Sequence, residues 1–180
     1  MKVITSLKHN MVHRVKIWSS LIFALTLLGC NSMPSSIEKL SVERTLVINA
    51  TADEVWAFAG GWTSIDNLVP TVITSILSNG NEVGSFRKVN LKGGGIVEEI
   101  MIRKSKTSYT YIITKSPLPL SNYRSTLEVK DLGNGKSEFT WRSVFFADGV
   151  SDAEAINIIA GLYEGAVEII KNKYADKNKK

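Results

Sequence analysis

The stretch SDAEAINIIAGLYEGAVEIIKNKY, residues 151–174, decides the fold. Ile156, Ile159, Tyr163, Val167, Ile170 and Tyr174 recur at steps of three and four, the spacing of one face of an α-helix. Ile158, Leu162, Ala166 and Ile169 widen that stripe, so this helix has to be buried over much of its girth. Ser151-Asp152-Ala153-Glu154 has capping-box spacing and marks where it begins. A long helix with so wide an apolar face needs a large concave surface to receive it.

The residues before it predict that surface. From Thr71 to Phe146 the pattern alternates with period two, broken by turn signals at Asn79-Gly80-Asn81, Gly93-Gly94-Gly95, Ser105-Lys106, Pro117 to Pro119 and Gly133-Asn134-Gly135. Six strands joined by hairpin-length connections form one antiparallel, strongly curved sheet. Val42 to Asn49, rich in β-branched residues, adds a first strand. Thr51-Ala52-Asp53-Glu54 is a second capping box, opening a short helix through Val55, Trp56 and Phe58. After Gly60-Gly61, another short helix is expected between Trp62 and Leu68. This order predicts an α+β helix-grip fold: a seven-stranded curved antiparallel sheet wrapped around a long C-terminal helix, with two short helices after strand 1. Sheets of this size often enclose a ligand cavity.

At the other end of the chain, Lys2, Lys8, Arg14 and Lys16 precede or flank an apolar run from Ile17 to Leu28. As a helix the run is too short to span a bilayer, which takes ~20 residues. It ends at Leu27-Leu28-Gly29-Cys30, which resembles the bacterial lipobox, where a small residue precedes the cysteine that receives lipid and becomes the new N-terminus. The alternative is an uncleaved signal anchor with a chance cysteine. The chain then divides into a signal peptide (1–29), a lipidated tether (30–41, small and polar), a folded domain (42–175) and a basic tail (176–180). Translation starts at Met1 or at Met11, since residues 11–30 already make a complete signal. Lipid on Cys30, with more than one acyl chain, would hold the domain stably at a membrane, facing the periplasm from the cell envelope. Asn31 in place of aspartate resembles the Gram-negative sorting signal for the outer membrane.

Charge and composition remove several function classes. The chain is formally +5, but residues 31–180 carry 18 basic and 17 acidic side chains, and without the last ten residues the count is 13 against 16. No nucleic-acid partner is expected. Both histidines, His9 and His13, and the single cysteine fall outside the expected domain. Ser-His-Asp and Cys-His catalysis, zinc sites built on His or Cys, and disulfides are therefore excluded, and no metal or cofactor is expected.

Strand alternation nominates the interior. With Val89 and Leu91, Ile100 and Ile102, Ile113, Leu127, and Val144 and Phe146 facing inward, the same faces carry Arg87, Glu98, Tyr109, Tyr111, Tyr123, Ser125 and Arg142. Trp141 then faces outward. Ile159 and Tyr163 approach from the long helix. Arg87, Glu98 and Arg142 form either a paired internal network that fixes the sheet or the polar end of an apolar cavity, with Tyr111 and Tyr123 donating hydroxyl bonds. Gly161 and Gly165 each cost ~1 kcal/mol relative to alanine in a helix; either the helix approaches the sheet closely there or the space is left for ligand.

Ile48-Asn49-Ala50 with Glu54-Val55-Trp56, Gly84 to Arg87, Val97-Glu98-Glu99, Pro117 to Tyr123, Trp141 and the helix from Gly161 to Lys171 together resemble the START/Bet v 1 superfamily. Within it, the chain is most similar to the bacterial polyketide cyclase/dehydrase-like group and to the plant abscisic-acid receptors. The resemblance covers about residues 42–175 and implies a cavity between sheet and long helix for an apolar or amphipathic small molecule. By similarity to the receptors, Gly93 to Gly95 takes the place of their gate loop and Ser116 to Leu120 that of their latch, although a plain tight hairpin explains the glycines as well. Glu98, Tyr123 and Ser125 fall at matching pocket positions. The lysine that holds the hormone carboxylate is replaced near Thr71 or Val72, and the glutamate deep in that pocket corresponds to Arg142, so hormone binding does not follow.

Three functions are expected, in this order: a membrane-tethered binding or carrier module for a lipid-like or aromatic ligand; an enzyme of cyclase, dehydratase or hydrolase type with Glu98 as acid or base; and an accessory protein with a filled interior.

Overall fold

The computed structural model describes residues 38–175. The expected signal peptide, Cys30 and the residues after Ala175 lie outside the described residues.

Seven strands form one sheet in the order β1-β7-β6-β5-β4-β3-β2. They are β1 (Leu40–Ile48), β2 (Ile73–Ser78), β3 (Phe86–Leu91), β4 (Ile96–Lys104), β5 (Ser108–Lys115), β6 (Leu120–Gly133) and β7 (Lys136–Ala147). All neighbouring pairs are antiparallel. The first strand starts at Leu40, so the last two residues assigned to the tether belong to the sheet.

Helix α1 (Ala52–Ala59) follows β1. Its start is fixed reciprocally: the Glu54 amide donates to Thr51 Oγ1 at 3.3 Å, and the Thr51 amide donates to Glu54 Oε2 at 2.9 Å. A single 3-10 turn at Ser64–Asn67 comes next and leads into β2. The long helix α2 (Asp152–Lys173) begins where Ser151 Oγ accepts the Glu154 amide at 3.3 Å. Ile159, Tyr163, Ala166 and Ile170 are its fully buried stripe, and burying each large aliphatic side chain contributes roughly 1.5–3 kcal/mol.

The seating of α2 positions the site. The helix packs against β1 and β7, and its outer side is tied to the edge strand by the Arg44 to Glu164 ion pair. Its C-terminal end meets α1, where Tyr174 donates to the Glu54 carbonyl at 3.0 Å. Because α2 covers one side of the curved sheet, the concave face of β3, β4 and β5 stays partly open beneath its N-terminal half.

Two strands run one residue out of step with the sequence expectation. In β4 the buried residues are Val97, Glu99 and Met101, whereas Glu98, Ile100 and Ile102 face outward. In β7 the buried face carries Phe139, Trp141, Ser143 and Phe145, and Arg142, Val144 and Phe146 lie on the outer face. Since the side-chain period of a strand is two, such a slip exchanges the whole set between core and solvent.

Candidate functional site

A hollow of about 390 Å³ lies between α2 and the concave face of the sheet. Its wall is apolar almost throughout: Ile65 and Val69 from the 3-10 turn and its exit, Ile73 of β2, Val89 and Leu91 of β3, Val97 of β4, Ile113 of β5, and Ile158, Ile159 and Leu162 of α2. Glu99, Tyr111, Tyr123 and Trp141 form the polar-edged floor, and all four are buried. The mouth is ringed by partly or fully exposed wall residues, Val72, Leu118, Ile158, Gly161 and Leu162 among them.

Local sequence explains the mouth. Gly93, Gly94 and Gly95 all have positive φ, between 86° and 96°, a backbone state that side-chain-bearing residues rarely adopt. They close the β3–β4 hairpin tightly, with the Leu91 amide donating to the Gly95 carbonyl at 3.1 Å. A Cβ added at Gly95 would stand 3.0 Å from Pro117 Cγ, so this turn rests on the segment between β5 and β6 that supplies Leu118. Gly161 lines the hollow, and a Cβ placed there meets nothing within 4 Å; the same is true of Gly165. Close approach of helix to sheet therefore does not explain these glycines, and at Gly161 the missing side chain leaves the mouth wider.

Behind the floor, Arg87 is fully buried and its guanidinium pairs through Nε with Glu99 Oε2. Its Nη1 donates to the Trp62 carbonyl at 2.5 Å, and its central carbon lies 3.9 Å from the centroid of the Trp62 ring and 4.9 Å from that of Tyr111. Burial alone would disfavour the charge. The Glu99 carboxylate outweighs that penalty, helped by Tyr109 and Tyr111, and holds the guanidinium pKa above its ordinary value. Buried charges persist when they are paired and hydrogen-bonded in this way.

A second polar group lies where β6, β7 and α2 meet. Tyr123 and Tyr163 share a hydroxyl hydrogen bond of 2.5 Å, Ser125 Oγ lies 3.1 Å from the Tyr163 hydroxyl, and Trp141 Nε1 donates to Ser125 Oγ at 3.0 Å. The Trp141 and Tyr163 rings are stacked with centroids 4.2 Å apart. Burial raises the phenol pKa values of Tyr109, Tyr111, Tyr123 and Tyr163, so all four stay neutral and act as hydrogen-bonding groups.

The structure brings together some of the nominated residues and separates others. Tyr111, Tyr123 and Ile159 line the hollow. Arg87, Tyr109, Ser125 and Tyr163 are buried behind its wall. Glu98 is turned outward and pairs with Lys88 at 3.3 Å, Arg142 is exposed and pairs with Glu128 at 3.1 Å, and Phe146 sits on the outer face of β7. The internal partner of Arg87 is Glu99 instead of Glu98, and Arg142 has no part in that network. Sequence reasoning missed Glu99 and Trp141. Glu99 had a signal: with Val97 and Met101 it forms an equally regular alternation in β4.

Sheet order, helix seating and hollow define a helix-grip protein, and residues 39–175 match the family described as polyketide cyclase / dehydrase and lipid transport. The chain belongs to that family. Among solved structures it is similar to a protein of Bacillus thuringiensis, at 28% identity and a TM-score of 0.67 over 76% of this chain and 99% of that one. It is similar also to the XoxI protein of Bacillus cereus, at 29% identity and a TM-score of 0.66 over 76% and 96%. Norcoclaurine synthase of Thalictrum flavum, solved with dopamine and hydroxybenzaldehyde, shares the fold at 15% identity and a TM-score of 0.57, over 77% of this chain and 88% of that one. Among curated proteins none matches.

Proposed function

We propose that this domain is a binding or carrier module for a small hydrophobic or amphipathic molecule, lipid-like or aromatic, held between the sheet and α2. The observation that carries the reading is the hollow itself: about 390 Å³, walled by aliphatic side chains and edged by a few polar groups at its floor. That is the common constitution of a small-molecule site. It also weighs against an accessory protein with a filled interior. The fold relationship to norcoclaurine synthase, whose structure contains two small aromatic molecules, is in keeping with a hollow of this kind. Mass spectrometry of the protein purified without denaturant tests the reading: a small apolar molecule should leave with the protein, and its absence under every gentle condition, together with no uptake of added amphiphiles, contradicts it.

The lipobox-like sequence adds a membrane anchor on Cys30, in the cell envelope and facing the periplasm. The strand register shows at which end of the cavity the folded domain begins. Leu40, where the chain enters the sheet, pairs with Phe145, and Leu120 pairs with Ala147 on the other side of β7. Neighbouring strands are ~4.8 Å apart, so the chain enters at the Leu118 end of the sheet, the end at which the mouth opens. A tagged fatty-acid analogue should label the protein through Cys30, and a Cys30→Ser variant that stays fully labelled contradicts the anchor. Transferring the anchor to follow α2, whose last described turn meets α1 through Tyr174, should slow the uptake of lipid from vesicles.

One observation favours a second reading, an enzyme of cyclase or dehydratase type. A carboxylate, Glu99, stands at the cavity floor beside Tyr111, where it can accept or return a proton to a bound molecule. Chemical change of a bound ligand by the wild type, abolished in a Glu99→Gln variant that is still folded and still binds the ligand, would establish it.

A further inference from the structure

We infer that the cavity selects amphiphiles whose head donates a hydrogen bond, a hydroxyl or an amine, and rejects those headed by a carboxylate; this rests on the reading of the hollow as a ligand site. Selectivity depends on which polar groups of the wall still have bonding capacity, and of what sign. The Tyr123 hydroxyl is engaged by Tyr163 and by the Tyr111 hydroxyl, and the Trp141 N–H by Ser125. Glu99 is 6% exposed and belongs to the wall, and its one hydrogen bond among the described residues comes from Arg87 Nε to Oε2. Oε1 is left as an acceptor.

The compensating cation is not offered to the ligand. Arg87 is absent from the wall, its Nη1 is spent on the Trp62 carbonyl, and the Trp62 and Tyr111 rings flank its guanidinium. An amphiphile reaching the floor therefore meets the negative member of the ion pair. A hydroxyl or ammonium head donates to Oε1, and bonds to an ionised acceptor are the stronger kind. A carboxylate head has to lie beside a like charge in space that water screens poorly, an unfavourable contact of the sort that builds specificity.

Three probes with the same ten-carbon chain isolate the head: 1-decanol, decylamine and decanoate, each titrated at pH 7.5 into the mature protein against a displaceable fluorescent naphthylamine. The alcohol and the amine should bind at least about tenfold more tightly than decanoate. Glu99→Gln alone strands the buried Arg87 and risks unfolding. The double variant Arg87→Met with Glu99→Gln removes both charges, and in it the gap should shrink to about threefold or less. Decanoate binding as tightly as decanol in the wild type, or an unchanged gap in the folded double variant, overturns the head-group preference while leaving the ligand site standing. Failure of all three probes, and of the naphthylamine, overturns the ligand site itself and the preference with it.

Discussion

Trp141 of β7 lies flat against Tyr163 of α2, ring centroids 4.2 Å apart and planes 20° from parallel. The contact fixes the helix to the sheet beside the cavity floor, and both rings also carry hydrogen bonds that converge on Ser125. Stacking and polar satisfaction are thus combined in one pair, which separates their contributions by substitution. Tyr163→Phe keeps the ring and deletes the hydroxyl that Tyr123 and Ser125 share. It leaves Tyr123 buried without that partner and should cost about 1–3 kcal/mol. Tyr163→Leu should cost more because the stacked ring is lost too. Urea denaturation of the two variants measures the difference; equal losses would mean that the stacked ring contributes nothing beyond the hydroxyl.

How much of this was legible in the sequence depended on each strand's two faces. In β5 and β6, Tyr109, Tyr111, Tyr123, Ser125 and Leu127 could be assigned inward because Thr110, Arg124, Thr126 and Glu128 made the opposite face polar. β4 offers no such contrast. Its outer Ile100 pairs with Phe86 on one side and Ile112 on the other, giving an outer apolar cluster as convincing as the true core face of Val97 and Met101. β7 misleads in the same way, since Phe139, Trp141 and Phe145 alternate with Val144 and Phe146. The long helix was readable because its apolar stripe has one phase. The partner of Arg87 was not, because two adjacent glutamates left either one eligible and only the pairing with β3 and β5 decides between them.

The Arg87 to Glu99 pair is buried, so breaking it should cost far more than removing it. Arg87→Met leaves the Glu99 carboxylate without its cation, a change that typically costs about 3–5 kcal/mol. Adding Glu99→Gln in the same chain should recover most of that loss. By contrast Glu98→Gln, at the outer pair with Lys88, should change stability by less than about 1 kcal/mol. Thermal melts of the three variants check the ranking. A Glu98 change as damaging as the Arg87 change would restore the register expected from the sequence.

Burial lifts the phenols of Tyr109, Tyr111, Tyr123 and Tyr163 above their ordinary value of 10.0. Above pH 10 the unfolded chain releases these protons and the folded one retains them, so the unfolded state binds fewer protons and stability falls as pH rises. Below that pH the four groups contribute no pH dependence. Absorbance of the phenolate should stay nearly flat through pH 10 in the folded protein and rise only on unfolding, while in urea it should titrate near 10. A normal titration of the folded protein would place these hydroxyls in water.

Gly161 stands in the middle of α2 and, apart from the helix's own backbone and its chain neighbours, no atom comes within 4 Å of where a Cβ would sit. Alanine there should stabilise the domain by up to about 1 kcal/mol through helix propensity, a gain of a few degrees in melting temperature. Phenylalanine at the same place should narrow the mouth and slow ligand uptake with the fold intact. If alanine destabilises, the glycine serves close packing instead.

The central claim is that the space under α2 is empty of protein and apolar. Crystals of the folded domain under xenon pressure test this most directly, since xenon enters apolar hollows and does not displace packed side chains. Electron density for xenon should appear among Val89, Val97, Trp141 and Ile159, or be excluded there only by a small molecule already in place. Side chains closed over that volume, with neither xenon nor a guest, would contradict the account.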